Sequence, residues 1–184
     1  VWPESGPISP SSKIVLPDTV EKTRPSLDVS SKRMMTLENF VSGPENLLAH
    51  AASQAISEQL NPAQSPLFVY GDVGLGKTHL LSGIKKGCDT KGFQVHMLAA
   101  EAFTNELISA IKAGSGSLFR DKYRSCDVLL VDDIQFFLGK KSSVEELVHT
   151  IDQMHARNRQ IVLASNLSLK SLSGLGRSLC SRVE

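Results

Sequence analysis

The sequence predicts an α/β fold, with a parallel sheet covered by helices on both faces. From Thr36 onward, short apolar runs typical of buried strands alternate with longer segments of helical periodicity. One of these runs leads into a glycine-rich loop, and another ends in two adjacent aspartates. Most of the runs are apolar throughout, which favours strands that are buried on both faces and therefore a parallel sheet.

The predicted elements follow one another in a regular order. A helix over 46–60 carries an apolar stripe, a strand over 67–70 is rich in β-prone residues, and a helix over 79–86 repeats apolar residues at helical spacing. The later elements are a strand over 94–99, helices over 102–113 and 118–123 separated by a Gly-Ser break, a strand over 128–131, a helix over 143–157 and a strand over 160–165.

The first 35 residues differ in composition from the rest of the chain. They hold five of the eight prolines, seven serines and a single aromatic residue, Trp2. Such a segment buries too little apolar area to offset the entropy lost on ordering. We therefore predict a flexible, disordered linker over 1–35 and a folded domain over 36–184. Because the chain begins with Val1 and ends at Glu184, we expect a piece of a longer protein, with the folded domain incomplete at its C-terminus.

Composition and charge argue against several classes of protein. The 184 residues contain no signal-peptide core and no run of about 18 apolar residues that would span a membrane. The three cysteines, Cys88, Cys126 and Cys180, are widely spaced, which indicates neither a disulfide framework nor a zinc site. We expect a reduced, cytoplasmic setting. The formal net charge is +1, so any contact with DNA has to come from a local basic patch.

The most informative motif is the octapeptide over 71–78, which reads G-D-V-G-L-G-K-T and fits the phosphate-binding pattern G-x-x-x-x-G-K-T. It lies between a predicted strand and a predicted helix, where Lys77 would reach the terminal phosphates and the Thr78 hydroxyl would ligate Mg²⁺. The spacing is not that of a dinucleotide-binding Rossmann loop, and the context argues against a chance glycine-rich turn. We predict that ATP or ADP is bound, with Mg²⁺, by Gly71, Gly74, Leu75, Gly76, Lys77, Thr78 and His79.

A pair of carboxylates, Asp132 and Asp133, follows the predicted strand over 128–131. Ligands of open α/β sheets bind at this end of the strands. We assign Asp132 to the metal, directly or through water, and Asp133 as the catalytic residue that orients the water attacking the γ-phosphate. The alternative is a pair of helix N-cap residues. The next strand leads to Asn166, which we also expect beside the phosphates as a catalytic residue; outside this context it would be only a turn residue.

Several segments together resemble the AAA+ ATPase domain of the DnaA family of bacterial replication initiators. Residues 37–43 look like the family's segment beside the adenine, and 71–81 resemble its GGVGLGKTHLL loop. Residues 103–106 match its FTNE, 119–124 are similar to its FRNKYR, and 128–137 nearly repeat its VLLIDDIQF. The resemblance covers the whole predicted folded domain. The FTNE and DDIQF motifs are more specific to this family than the phosphate loop is.

The resemblance implies a P-loop NTPase fold of the AAA+ type, truncated here before the lid. For the family it implies ATP-dependent self-assembly on origin DNA, duplex opening and recruitment of the replicative helicase, with a slow Mg-dependent ATPase acting as a switch. Origin duplex would be recognised by a further C-terminal domain. Acidic phospholipid is another partner implied for the full-length family.

Single-stranded DNA is a further ligand that the resemblance implies for this domain. The family's insertion between the second and third strands corresponds here to the helix that carries Ile108 and Lys112. The loop after the paired aspartates offers Lys140 and Lys141. On charge alone, the alternative is a solvated lysine surface.

The sequence departs from the family pattern at two places. The family usually has Asp where this chain has Asn166, and an amide cannot carry the negative charge. Within 174–182, the position of the family's subunit-bridging arginine holds Ser178, with Arg177 one place earlier. We assign subunit contacts to Arg177 and Arg182. The departures leave two other functions open: a helicase loader or DnaA-like regulator, and a nucleotide-independent interaction module.

Two groups of residues have simpler interpretations. Arg120, Lys122 and Arg124 could pair with Asp121 and Asp127 rather than with a ligand. The five histidines lack the spacing of metal ligands, so we expect structural roles for all of them.

Overall fold

The computed structural model describes residues 35–183. All of the predicted linker except Met35 lies outside the described residues. The strands are β1 (Leu67–Tyr70), β2 (Val95–Ala99), β3 (Val128–Asp132) and β4 (Gln160–Ser165). The α-helices are α1 (Leu47–Glu58), α2 (Lys77–Thr90), α3 (Ala100–Lys112), α4 (Gly116–Arg124), α5 (Lys141–Ala156) and α6 (Arg177–Val183). Short 3-10 helices cover Leu37–Asn39, Pro62–Gln64, Ile134–Phe137 and Leu169–Leu175.

The strands of the described residues form one parallel sheet in the order β1-β4-β3-β2. The register places Tyr70 beside Ser165 and Ala99 beside Asp132, so the carboxyl ends of all the strands meet at one edge. The central strands β3 and β4 are buried along their full length. The predicted α/β fold with a parallel sheet is confirmed.

Helices cover both faces of the sheet and bury alternate residues of its strands. On one face, where α1 contacts α2, the side chains of Leu81 and Ile84 from α2 join Leu130 and Val162 in one buried cluster. On the other face, α3, α4 and α5 form a second cluster, which includes Phe103, Tyr123, Leu129, Leu147 and Leu163. Neighbouring residues of β3 therefore face opposite layers of helices, which explains why this strand is apolar without interruption.

The structure lengthens some predicted helices and adds elements that were not predicted. The helix predicted over 79–86 is Lys77–Thr90, and the one predicted over 143–157 begins at Lys141. Helix α6 and the 3-10 helices were missed because segments of seven residues or fewer are too short to show a periodic apolar stripe.

A buried carboxylate joins α4 to α5. The side chain of Glu146 is 9% exposed and accepts hydrogen bonds from Arg120 Nε (3.2 Å) and Arg124 Nη2 (2.7 Å). In the described part of the chain, the alternative pairing of these arginines with Asp121 and Asp127 is not formed. An acidic side chain on a different helix binds them both, a contact that the local sequence does not indicate.

A second carboxylate joins α3 to α4. Glu106 Oε2 accepts hydrogen bonds from Lys122 Nζ (2.7 Å) and from the Tyr123 hydroxyl (2.6 Å). Burial raises the pKa of Glu106, but these two hydrogen bonds, together with the nearby charges of Lys122 and His96, outweigh it and hold the pKa below its ordinary value. Asp127, the other acidic partner that the sequence suggested for these basic residues, forms an ion pair with Arg159 instead.

Candidate nucleotide-binding site

The phosphate loop connects the end of β1 to the first residue of α2. Gly74 and Gly76 both have φ 86°, in the left-handed region that glycine adopts without steric cost. Gly76 is required for a second reason, because a Cβ added there would lie 2.7 Å from Cε2 of Phe40. The backbone of the loop therefore needs glycine at these two positions of the motif.

Lys77, the first residue of α2, is buried and folds back over its own loop. Its Nζ donates hydrogen bonds to the carbonyl oxygens of Gly71 (2.7 Å) and Asp72 (2.9 Å). An ammonium group has three N–H donors, so one remains for a phosphate oxygen. The loop thus holds the cation in place beside the helix N-terminus, where an anion is favoured.

Thr78 and Asp132 meet across the sheet edge, although they are far apart in the sequence. The Thr78 hydroxyl donates a hydrogen bond of 2.5 Å to Asp132 Oδ2, and Asp132 Oδ1 accepts from the backbone N–H of Asp133 (2.9 Å). Hydroxyl and carboxylate oxygens are the ligands that Mg²⁺ prefers. The donor set therefore fits Mg²⁺: Thr78 would be a direct ligand, and Asp132 would bind the ion directly or through water.

Asp133 and Asn166, predicted to meet beside the phosphates, lie in contact. Asn166 Nδ2 donates to Asp133 Oδ1 at 3.3 Å, and Gln135 Nε2 donates to the same oxygen at 2.8 Å. Asp133 has φ 55° and ψ 46°, a left-handed conformation that is uncommon for a residue with a side chain. Gln135 was not identified from the sequence as a residue of the site. The one sign of it in the sequence is a polar residue between the apolar residues of the 3-10 helix Ile134–Phe137.

His79 and His50 fasten the segment before α1 to the phosphate-loop helix. His79 Nε2 donates to the carbonyl oxygen of Thr36 (2.8 Å), and His50 Nε2 donates to that of Leu37 (3.0 Å). The Phe40 ring stacks on His50 and meets His79 edge to face. Both histidines therefore make the structural contacts expected of them. These contacts hold the segment that resembles the family's adenine-side region against the phosphate-loop helix.

The loop and the strand ends enclose one cavity of about 390 Å³. Its lining includes Gly74, Lys77 and Thr78 from the loop and helix, and Asp133 and Asn166 from the strand ends. Ligand sites have volumes of roughly 300 to 1,000 Å³ with a few convergent polar groups, which this cavity matches. A larger cavity of about 620 Å³ lies between α5 and α6, but none of the loop residues line it. The residues that line the smaller cavity therefore make it the candidate nucleotide site.

The basic residues assigned to DNA lie on two separate elements. Ile108 is 44% exposed, and it lies with the exposed Lys112 near the C-terminal end of α3. Lys140 and Lys141 lie at the start of α5, where Lys140 Nζ is 2.9 Å from the centroid of the Phe136 ring. The side chain of Lys141 is 90% exposed, with its Nζ 3.9 Å from Glu145. Lys140 and Lys141 line the larger cavity.

The two arginines assigned to subunit contacts differ in their surroundings. Arg182 Nη2 donates to Asp152 Oδ2 at 2.7 Å, and its hydrogen bonds hold the pKa of Asp152 below the ordinary value. Arg177 is exposed at the start of α6. Ser178 lines the larger cavity together with Arg182.

The described residues offer little support for a cluster of metal ligands, for reactive thiols or for a membrane-spanning helix. Between residues 35 and 183, no group of three or more His, Cys, Asp or Glu side chains is placed to hold a metal. Burial raises the pKa of both Cys88 and Cys126 to about 11, so these thiols stay protonated near neutral pH. No helix in the part of the chain that the structure describes is long and apolar enough to cross a bilayer.

Comparison with known proteins decides the family. A family model described as the bacterial DnaA ATPase domain matches residues 31–184. This chain belongs to the DnaA family. The chromosomal replication initiator protein DnaA of Deinococcus radiodurans is 46% identical over 151 residues, which are 81% of this chain and 32% of that protein.

Solved structures of the family have the same fold. Domain III of the Thermotoga maritima replication initiation protein DnaA superposes with a TM-score of 0.78 at 39% identity, covering 83% of this chain and 64% of that one. A replication initiator DnaA bound to AMPPCP and single-stranded DNA superposes with a TM-score of 0.78 at 35% identity, covering 81% of this chain and 47% of that one. The AAA+ type of P-loop fold expected from the sequence is therefore confirmed.

The chain spans about a third of the length of the curated relatives it matches. A DnaC helicase loader superposes with a TM-score of 0.61 at 20% identity, a likeness in fold alone.

Proposed function

We propose that this DnaA-family domain binds ATP or ADP with Mg²⁺ and acts as the nucleotide-controlled part of a replication initiator. The observation that carries the proposal is the contact between the Thr78 hydroxyl and Asp132 at the mouth of the phosphate loop. It joins the two motifs of a phosphoryl-transfer site through side chains placed to hold a metal. The family's solved structures support it, since one of them is described as bound to AMPPCP and single-stranded DNA.

Each residue of the site has a role that follows from its position. Lys77 and the N-terminus of α2 would neutralise the phosphate chain. Mg²⁺ held at Thr78 and Asp132 would neutralise charge on the β and γ phosphates. Asp133 would orient the attacking water, and the Asn166 amide would donate a hydrogen bond beside it.

Calorimetric titration of the chain with ATP and with ADP tests the proposal. We expect saturable binding of both nucleotides with Mg²⁺ present, and weaker ATP binding when EDTA removes the metal, because Thr78 and Asp132 then lose the ion that bridges them to the phosphates. Absence of binding to either nucleotide with Mg²⁺ present would overturn the proposed function.

We expect the chain by itself to hydrolyse ATP slowly, with a turnover below about 1 s⁻¹. The motivation is Ser178, which stands where the family has its subunit-bridging arginine. An arginine that reaches the transferring phosphoryl group contributes roughly 10³ to 10⁵ in related reactions. Phosphate release is measured over time, with Lys77→Ala as the control for contaminating ATPase. A faster turnover in wild type would contradict this expectation.

We further propose that the domain contacts single-stranded DNA through Lys112, Lys140 and Lys141, with Ile108 as an apolar neighbour. The support is that Lys141 is almost fully exposed while Lys140 lies against the Phe136 ring, so a cation and an aromatic ring occur together. With a net charge of only +1, the chain has no long-range attraction for DNA. Binding by one copy is therefore expected to be weak.

The DNA proposal predicts a specific salt dependence. Lys140→Ala/Lys141→Ala is expected to weaken binding of a labelled oligonucleotide in fluorescence anisotropy and to reduce the salt slope by about 0.7 for each phosphate that a lysine no longer neutralises. The matched control is Lys85→Ala/Lys86→Ala, which removes an adjacent lysine pair from α2 on the opposite face of the sheet. Equal weakening in both double variants, or none in either, would show that the α5 pair is only a solvated surface.

Assembly would make such weak sites useful. We propose that copies associate side by side with Arg177 and Arg182 at the contact, so that each copy adds its small basic patch along the strand. Duplex opening and recruitment of a helicase are roles that we propose for the whole protein.

A further inference from the structure

The carboxamide of Gln135 lies between the ends of β3 and β4. Its Nε2 donates to Asp133 Oδ1 (2.8 Å), and its Oε1 accepts from Ser165 Oγ and from the backbone N–H of Asn166 (both 3.1 Å). A backbone N–H can only donate and a carboxylate can only accept, so these partners decide which end of the carboxamide faces which strand. Turning the side chain over would lose the hydrogen bonds to the Asp133 carboxylate and to the Asn166 backbone, since of the three partners only the Ser165 hydroxyl can both donate and accept.

Gln135 closes a ring of hydrogen bonds with Asp133 and Asn166. Asn166 Nδ2 donates to the same Asp133 Oδ1 that accepts from Gln135, while the Asn166 backbone donates to Gln135. Asp133 Oδ2 accepts no hydrogen bond within residues 35–183, so it is available to a water molecule. The backbone of Asp133 is in the left-handed region, a conformation that surrounding contacts have to maintain. The ring therefore decides the direction of this carboxylate.

We propose that Gln135 is a positioning residue for the transfer of the γ-phosphoryl group from a nucleoside triphosphate to water, an inference that rests on the nucleotide site proposed above. Gln135 does not line the cavity that Asp133 shares with Lys77 and Thr78. Gln135 therefore acts through Asp133, which lines that cavity.

The reaction explains why the direction of Asp133 matters. The water oxygen forms a bond to the γ phosphorus, and the bond from that phosphorus to the bridging oxygen breaks, with its electron pair going to ADP. The proton of the water passes by way of Asp133 to the released phosphate. A displacement of about 1 Å between reacting groups can cost about a hundredfold in rate. Loss of the Gln135 hydrogen bond is expected to cost at least about tenfold.

The test compares Gln135→Ala and Gln135→Glu with wild type, and uses Gln153→Ala, on the exposed side of α5, as the control. Three quantities are measured: the single-turnover rate of ATP hydrolysis, the affinity for ADP, and the affinity for ADP with aluminium fluoride, which mimics the transferring phosphoryl group. A residue that positions the chemistry affects the rate and the affinity for the mimic, but leaves the affinity for ADP nearly unchanged.

The Gln135→Glu variant adds a readout that a purely structural role would not change. Its carboxylate would face Asp133, and Glu101 of α3 lines a further cavity together with Asp133 and Gln135, so nearby negative charge would raise the pKa of the introduced group. Once protonated, the introduced acid can donate to Asp133 as the amide does. We expect the rate of this variant relative to wild type to rise as the pH falls from about 8 to about 6.

The outcomes separate the inference from the function on which it rests. Gln135→Ala with a rate and an affinity for the mimic at least about tenfold lower, and ADP affinity within about twofold of wild type, would support the inference. Three outcomes would overturn the inference while leaving the nucleotide site intact. They are wild-type values in Gln135→Ala, a loss of ADP affinity as large as the loss of affinity for the mimic, and a rate of Gln135→Glu relative to wild type that does not change with pH. Failure of the wild type to bind ATP would instead overturn the proposed function.

Discussion

Lys77→Ala is expected to weaken ATP binding by more than tenfold, which corresponds to at least about 1.4 kcal/mol. The substitution removes the ammonium group that the carbonyl oxygens of Gly71 and Asp72 hold at the loop. Charge-assisted hydrogen bonds to phosphate are among the stronger polar interactions, and the cation lies in a buried position where water screens it little. Calorimetric titration with ATP and Mg²⁺ measures the change.

Lys86→Ala is the matched control, because it removes the same charge from the exposed surface of the same helix, far from the loop. We expect its affinity for ATP to stay within about twofold of wild type, since an exposed charge at that distance is largely screened. Equal affinities for wild type and Lys77→Ala would mean that the loop does not bind the phosphates.

Glu146→Ala is expected to destabilise the folded domain by about 3 kcal/mol. The substitution leaves Arg120 and Arg124 without the carboxylate that they share, and the side chain of Arg124 is only 20% exposed. Breaking a buried pair from one side is costly because the remaining charge stays desolvated, although Arg120, which is about half exposed, can recover its hydration. Urea unfolding measures the change in free energy of unfolding.

Glu145→Ala provides the control for this prediction, with the same chemical change at the neighbouring position of α5. The side chain of Glu145 is 59% exposed, and its contact with Lys141 is 3.9 Å long. Exposed pairs of this kind contribute little, so the loss is expected to stay below about 0.5 kcal/mol. Similar losses in the two variants would show that the shared carboxylate does not stabilise the contact between α4 and α5.

The arrangement of the site is compatible with the proposed nucleotide binding although Asn166 stands where the family resemblance led us to expect Asp. Two carboxylates at the distance of the Asn166 and Asp133 side chains, 3.3 Å, would repel each other and compete for one proton. The Asn166 amide instead donates to Asp133, so the ring formed with Gln135 carries a single negative charge. An amide at this position therefore supplies a hydrogen bond that orients Asp133, where a carboxylate would supply a second negative charge.

The fold class and the phosphate loop could be predicted from the sequence because their signals are local. The apolar strands, the helical stripes and the eight residues over 71–78 are each contained in one short stretch of chain. The carboxyl ends of parallel strands meet at one edge of a sheet, so the neighbourhood of Asp133 and Asn166 could also be expected. The helix ends were less certain, because the apolar stripe of α2 does not show where its first and last turns lie.

The tertiary structure decided the contacts between side chains that are distant in the sequence. Thr78 and Asp132 are 54 residues apart, and only the packing of α2 beside β3 brings the hydroxyl to the carboxylate. The same is true of Glu146, whose arginine partners lie on another helix, and of Gln135, whose carboxamide lies between two strand ends. Sequence spacing predicts which face of an element is apolar, but the partner of a polar side chain depends on how neighbouring elements pack against one another, and short-range patterns do not contain that information.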